Sequence, residues 1–229
     1  MKISILLPFK ENFSPEYAGA VSLFINDTVN LSKYNKSTKI FGNTNYKKKF
    51  KHNYTNIPLS KVYFGSQNKR YVKEFIKLEK IRKSNLIELH NRPNYLNHLV
   101  NSLTNRNYIL FFHNDPLSMS GSKSISERIF LMKNCYKIIF NSNWSKKRFL
   151  EGLENKFVNS NKLAVFYQSA EKGSIKLIKN KKKWITFVGK LNKAKGYDVF
   201  SKAIIRVLNK NPQWKAKIIG DEKREKIKL

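Results

Sequence analysis

Cysteine is nearly absent from this sequence. The single thiol, Cys135, excludes an intrachain disulfide framework and any cysteine metal cluster. It sits in the apolar run Cys135–Phe140, which marks it as a buried, inert position. Long hydrophobic runs are missing too. No stretch approaches the ~18 residues that a membrane-spanning helix needs, and Pro8 stops Ile3-Ser4-Ile5-Leu6-Leu7 short of a secretion signal. A cytoplasmic protein is expected, with peripheral attachment to the inner face of the membrane left open. Acids are scarce: 15 Asp and Glu stand against 46 Lys and Arg, a formal charge of +31. With no carboxylate cluster and no His-x3-His spacing, no metal is expected. No G-x4-G-K-[ST] loop and no G-x-S-x-G elbow occurs, so neither a Walker-type phosphate loop nor a hydrolase nucleophile is present.

What is there is sufficient for a core. Hydrophobic residues make up 41% of 229, including 16 Phe and 11 Tyr, and the chain is long for one domain and short for two. The charge invites a polyanionic partner, because clustered cations displace counterions. Yet Lys outnumbers Arg 38 to 8, alongside 27 Asn. AT-rich codons supply Lys and Asn, whereas bidentate phosphate and base contacts favour Arg. The charge reads mainly as solvated surface. No helix-turn-helix and no arginine–aromatic interleaving occurs, so no nucleic acid is expected. Two basic segments, Lys47–Lys51 and Lys69–Lys83, are candidates for anionic lipid, with scattered surface charge as the alternative.

Short apolar runs alternate with helical patterns. Strands are expected at Lys2–Leu7, Ser37–Phe41, Lys61–Phe64, Leu86–Leu89, Tyr108–Phe112, Lys137–Phe140, Leu163–Phe166, Trp184–Val188 and Lys215–Ile219. Helices are expected near Ala18–Thr28, at Asn143–Leu153 and at Asp198–Leu208. Ser124 and Glu127 have capping-box spacing. This alternation indicates an α/β fold with a parallel sheet. Residues 1–170 form one complete Rossmann-like domain in this reading. The Lys-rich stretch 171–183 is a linker, and 184–229 begin a second domain.

In an open parallel sheet, ligands bind beyond the carboxyl ends of the strands. Three loops qualify in the first domain. "PFKENFSPEYAGAV" places Gly19 at a helix N-terminus, where backbone N–H groups attract phosphate; tight helix–sheet packing explains the same glycine. "ELHNRPNY" crowds Glu88, His90, Asn91 and Arg92 at a strand end ahead of Pro93. "FFHNDP" puts His113, Asn114 and Asp115 at the next one, where a histidine satisfied by a turn is the plainer alternative. His52 and His98 read as loop and helix-surface positions. Near the end of the chain, "FVGKLNKAKGYDVF" brackets a strand-to-helix turn with Lys190 and Lys195, which suits a diphosphate or simply solvent.

Strand–"GKL"–turn–"KG.D.F" resembles the donor-phosphate motif, G-R-L-x4-K-G, of the retaining glycosyltransferases of family 4, which have the GT-B fold. "LPFKENFSPEYAGAVSLF", "HNRP", "FFHNDP" and "IIFNSNWSKKRF" are similar to further segments of that family, in the same order. The resemblance implies two Rossmann-like domains facing across a cleft, acceptor on the first and nucleotide-sugar donor on the second. It implies that Gly19, Gly189, Lys190 and Lys195 meet the donor diphosphate and that catalytic His113 lies beside the transferred sugar. Glu88, His90, Asn91, Arg92, Asn114 and Asp115 would then contact sugar or acceptor, a glycan or lipid-linked glycan of surface polysaccharide or lipopolysaccharide assembly. The lysines would neutralise the leaving diphosphate without a metal or other cofactor. Lys190 departs from the family's arginine and lacks its bidentate fork.

The family's second domain continues to an E-x7-E motif that binds donor sugar and ribose. Here the sequence reaches Leu229 one strand after the lysine motif. A truncated second domain is therefore expected, holding only its first strand–helix–strand, with doubtful activity for this chain alone. A non-catalytic acceptor- or membrane-binding remnant is the alternative, and a basic nucleic-acid-binding protein a weaker one.

Overall fold

The computed structural model describes residues 1–59, 66–158, 160–169 and 180–220. The expected strand Lys61–Phe64 and most of the expected linker (171–179) lie outside these residues. The chain divides into two compact units, Met1–Glu171 and Lys172–Leu229.

The first unit is built on a parallel sheet of seven strands. In chain order these are β1 (Ile3–Leu6), β2 (Thr38–Gly42), β3 (Tyr54–Asn56), β4 (Leu86–His90), β5 (Asn107–Phe112), β6 (Lys137–Phe140) and β7 (Leu163–Val165). Their order in space is β3-β2-β1-β4-β5-β6-β7. The centre of the sheet is apolar without alternation, as a strand covered on both faces must be: all four residues of β1 are buried. β3 was not anticipated. It is a three-residue edge strand with Tyr54 and Thr55 half-buried and Asn56 exposed.

Each face of the sheet has its own core. On one face, Ile3, Ile5, Leu7, Ile40 and Leu86 meet Val21, Ile25 and Val29 of α1 (Ala20–Leu31). The spacing of those three, four residues apart, puts them on one stripe. The helix starts at Ala20 with Gly19 as its N-cap, so Ala18 precedes it. Among the described residues, the opposite face is covered mainly by α2 (Gln67–Arg82), α3 (Leu96–Val100), α4 (Ile125–Asn134) and α5 (Asn143–Leu150). Tyr71, Val72, Phe75 and Ile76 of α2 lie against Leu6, Phe41, Ile87 and Leu89. Under β5 and β6, the rings of Phe112, Phe140 and Phe149 contact one another at 5.3–5.7 Å between centroids. Cys135 is buried, which pushes its thiol up to about 12.

Local chemistry fixes the helix ends. Ser124 accepts from the Glu127 backbone N–H while the Glu127 carboxylate accepts from Ser124 N, completing the capping box ahead of α4. Ser142 caps α5 by accepting from Ser145 N. α5 ends at Leu150, three residues earlier than its pattern suggested. At the amino end of the sheet, the carboxylate of Glu79 is fully buried. It accepts from Ser4 Oγ at 2.6 Å and from the backbone N–H of Ser84 at 2.6 Å. Arg82 closes this knot by donating to Ser4 Oγ, Ile3 O and Ser37 O.

A short helix α6 (Asn155–Val158) precedes β7. The described residues of the second unit form a β-α-β element. β8 (Trp184–Val188) pairs in parallel with β9 (Lys215–Ile219), and α7 (Tyr197–Lys210) joins them. Phe187 meets the rings of Tyr197 and Phe200 at 5.3 and 5.1 Å. Only Ser201 and Ile204 of α7 are buried, and every residue of β9 is exposed. Among the described residues no helix is long and apolar enough to cross a membrane.

Candidate functional site

The carboxyl ends of β4, β5 and β6 are stitched together by asparagines. Asn91, just past β4, adopts a left-handed backbone (φ 52) and donates from its N–H to Phe111 O. Its side-chain Oδ1 accepts from His113 N at 2.8 Å. Asn141, just past β6, donates to His113 O at 2.8 Å. His113 is thus held by its backbone on both sides, at the strand end where its position after four hydrophobic residues placed it.

The ring of His113 is held as firmly. Its Nε2 lies 3.0 Å from His90 Nδ1, and its Nδ1 meets the side-chain amide nitrogen of Gln168. Phe24 of α1 packs edge-on against it at 5.1 Å, and His90 stacks on Phe111 at 4.7 Å. Burial, and secondarily the neighbouring His90, lowers the pKa of His113 from its usual 6.5 to about 3. The imidazole is therefore uncharged at neutral pH, suited to hydrogen bonding rather than to ion pairing. Gly19 opens the helix that carries Phe24, so Gly19 and His113 belong to the same face of the sheet.

The remaining expected residues divide by their surroundings. His90 is 1% exposed and lies beneath His113 instead of facing outward. Glu88, two residues earlier on β4, brings its Oε2 to 3.8 Å from His90 Nε2. It lines a cavity of about 250 Å³ together with Phe24, Phe111, Ile139 and Phe166. Arg92 donates to Asn91 O at 2.8 Å. Asn114 is exposed. Asp115 caps a single turn by accepting from Leu117 N, and its other oxygen is 3.4 Å from Arg148.

At the N-terminus of α1, a carboxylate stands where phosphate was expected. Glu11 Oε1 accepts from Ser22 N at 3.2 Å, and a Cβ built on Gly19 would lie 2.2 Å from that oxygen. The negative charge is well placed for the helix dipole. Gly19 has an extended backbone here (φ −80), so its missing side chain matters for space rather than for conformation. Phe24, Asn141 and Gln168 were not foreseen. Asn141 sits in the "FNSNW" segment at a strand end, which is a usable signal; Gln168 is 55 residues from His113 and carries none.

In the second unit, Gly189 follows β8 at φ 155 and donates to Ile219 O at 3.0 Å. Only a residue without Cβ takes that conformation easily. Asn192 Oδ1 accepts from Lys195 N at 3.1 Å, and Gly196 (φ 70) turns the chain into α7. Lys190 and Lys195 are both exposed, as is Lys193 between them, a cation absent from the expected set. Among the described residues, no group of three or more His, Cys, Asp or Glu is placed to hold a metal ion.

No protein-family model matches this sequence, and neither does any curated protein. Solved structures do. HepE of Anabaena in complex with UDP-glucose is similar with a TM-score of 0.68 at 15% identity over 96% of this chain. MnaA of S. aureus, bound to UDP, gives 0.54 at 10% identity over 97% of this chain. The UDP-GlcNAc 2-epimerase of Methanocaldococcus jannaschii gives 0.52 at 13% identity. The chain spans 61% of the HepE chain and 63% of the MnaA chain. With its seven parallel strands flanked by helices, the first unit is a Rossmann-like domain of the GT-B type.

Proposed function

We propose that this chain forms part or all of a glycosyltransferase that uses a nucleotide-sugar donor. The observation that supports it most is a coincidence of place. The polar cluster of His113, Asn91 and Arg92 gathers at the carboxyl edge of a sheet whose fold, in HepE and MnaA, accompanies bound UDP or UDP-glucose. The finer reading follows the family 4 resemblance. Gly189, Lys190 and Lys195 hold the donor diphosphate and offset the charge that develops on it as the sugar departs, a task that needs no metal. His113 sits beside the transferred sugar. Glu88, Asn91, Arg92 and Asn114 meet a glycan or lipid-linked acceptor, and transfer proceeds with retention.

Binding and transfer are separately testable. Calorimetry with UDP and UDP-sugars should give saturable binding that Lys195→Ala weakens by about tenfold or more, the worth of one hydrogen bond to a charged partner. Assays with lipid-linked acceptors then read transfer. Absence of UDP binding at millimolar ligand would sink the reading.

A membrane-associated setting has its own support. The buried stripe of α2 leaves Lys69, Lys73, Lys77, Lys80 and Lys83 exposed. We place this basic surface against anionic lipid on the cytoplasmic side. Flotation with phosphatidylserine vesicles should recover the chain at low salt and lose it at high salt.

A further inference from the structure

Three side chains form a line on the face of the sheet that carries α1. Glu88 and His90 are two apart on β4, hence on one face, and His113 lies just past neighbouring β5. His90 offers Nδ1 to His113 Nε2 at 3.0 Å. Its other nitrogen, Nε2, is buried without a hydrogen-bond partner, with Glu88 Oε2 3.8 Å away. Beyond His113, the exposed Gln168 places its amide nitrogen on Nδ1.

A neutral imidazole has one N–H and one lone pair, so the contact between two neutral rings couples all four nitrogens into one of two arrangements. Suppose His90 donated from Nδ1. Its Nε2 lone pair would then face the Glu88 carboxylate, and an N–H at His113 Nδ1 would face the N–H of Gln168. Both ends would set like against like. Suppose instead that His113 donates from Nε2. His90 then carries its proton on Nε2, toward Glu88, and the Nδ1 lone pair of His113 accepts from Gln168. Every contact becomes complementary.

We propose that Glu88 and His90 are positioning residues that lock His113 in its Nε2–H form, so that Nδ1 presents a hydrogen-bond acceptor to a ligand hydroxyl whose place Gln168 holds. Among the described residues, His90 is the titratable group in contact with this ring, and Glu88 stands behind it at His90 Nε2; α1 contributes Phe24 and β5 contributes Phe111. Burial keeps the ring unprotonated, which leaves the lone pair available. His113 therefore recognises a hydroxyl as an acceptor and does not serve as a standing acid. The sugar-transfer reading enters only in assigning that hydroxyl to a sugar.

Two-bond 1H–15N spectra of the full chain labelled with 15N-histidine read the tautomer directly, with His113→Gln to assign the signal. At pH 7 we expect the Nε2–H pattern. Glu88→Leu should bring in the Nδ1–H form, and Glu88→Gln, which keeps an acceptor oxygen, should largely restore the original. Glu88 is partly exposed, so these variants are expected to fold. Diethyl pyrocarbonate, which acylates unprotonated imidazole nitrogens, tests Gln168. Gln168→Ala should raise the acylation rate of His113 several-fold relative to His98. An Nδ1–H pattern in the unaltered chain, an unmoved tautomer in Glu88→Leu, or unchanged acylation in Gln168→Ala would each overturn the proposal. None of these readouts depends on UDP binding, so this proposal and the sugar-transfer reading can fail independently.

Discussion

The two units use the same β-α-β grammar and come out differently. β1 is buried along its whole length, whereas β9 is exposed along its whole length. Local sequence accounts for this only at Lys215 and Lys217, since Ile218 and Ile219 are as apolar as Ile3 and Ile5. Neighbours account for the rest. β1 has a strand on either side and a core on each face, while among the described residues β9 has one strand partner and one helix. Burial, and with it stability, belongs to the layer rather than to the strand.

The sharpest way to break this contrast is to remove one side chain from each unit. Phe112→Ala should cost about 4 kcal/mol, through lost transfer energy and the cavity left between Phe140 and Phe149. Val188→Ala, at a position 73% exposed, should stay within about 0.5 kcal/mol. Urea titrations of both variants make the comparison, and equal losses would refute it. Next comes the polar knot, which has no counterpart described in the second unit. Glu79→Ala strands Ser4, Ser84 and Arg82 and should cost about 3 kcal/mol.

Acid should act on the first unit through its histidines. The folded-state pKa of His113, about 3, lies below the 6.5 of the unfolded chain. Between those values the unfolded chain takes up a proton that the folded one refuses. Stability therefore falls as pH drops from 6.5 toward 3 and is unaffected by this group above 6.5. The slope is at most about 1.4 kcal/mol per pH unit, and His52, also lowered by burial, adds in the same direction. Thermal melts of the unaltered chain and of His113→Gln at pH 5 and pH 7 should differ in this dependence. A smaller loss than at Phe112 or Glu79 is expected from Gly19→Ala. The new methyl displaces the Glu11 carboxylate from the start of α1, costing no more than about 1 kcal/mol of capping and dipole energy.

Much of this was legible in the sequence. Eight of the nine described strands follow apolar runs bounded by turns, and the capping box at Ser124 and Glu127 states its own geometry. β3 escaped because Tyr54, Thr55 and Asn56 make too short and too polar a run; an edge strand buries little and so signals little. The strand-end rule found His90 and His113, since both stand where hydrophobic runs stop. It could not say that one ring would lie beneath the other, because that depends on β4 and β5 being neighbours in register. Glu79 was hidden among lysines, and only the stripe formed with Tyr71 and Phe75 betrays a buried acid. Glu11 reached the start of α1 from outside the helix, beyond any periodicity.

Asparagine is so common here that composition alone makes each copy look dispensable. The stitched strand ends separate two of the 27 from the rest. At Asn91 a replacement must tolerate a left-handed backbone and also supply a neutral acceptor to the His113 amide. Glycine meets the first demand and fails the second; lysine, which takes a left-handed backbone at Lys10 and Lys83, also fails the second because it has no acceptor. A saturation-mutagenesis profile of this chain would thus be flat across most asparagines and drop steeply at Asn91 and Asn141, so that the positions holding the candidate site stand out by intolerance where composition conceals them.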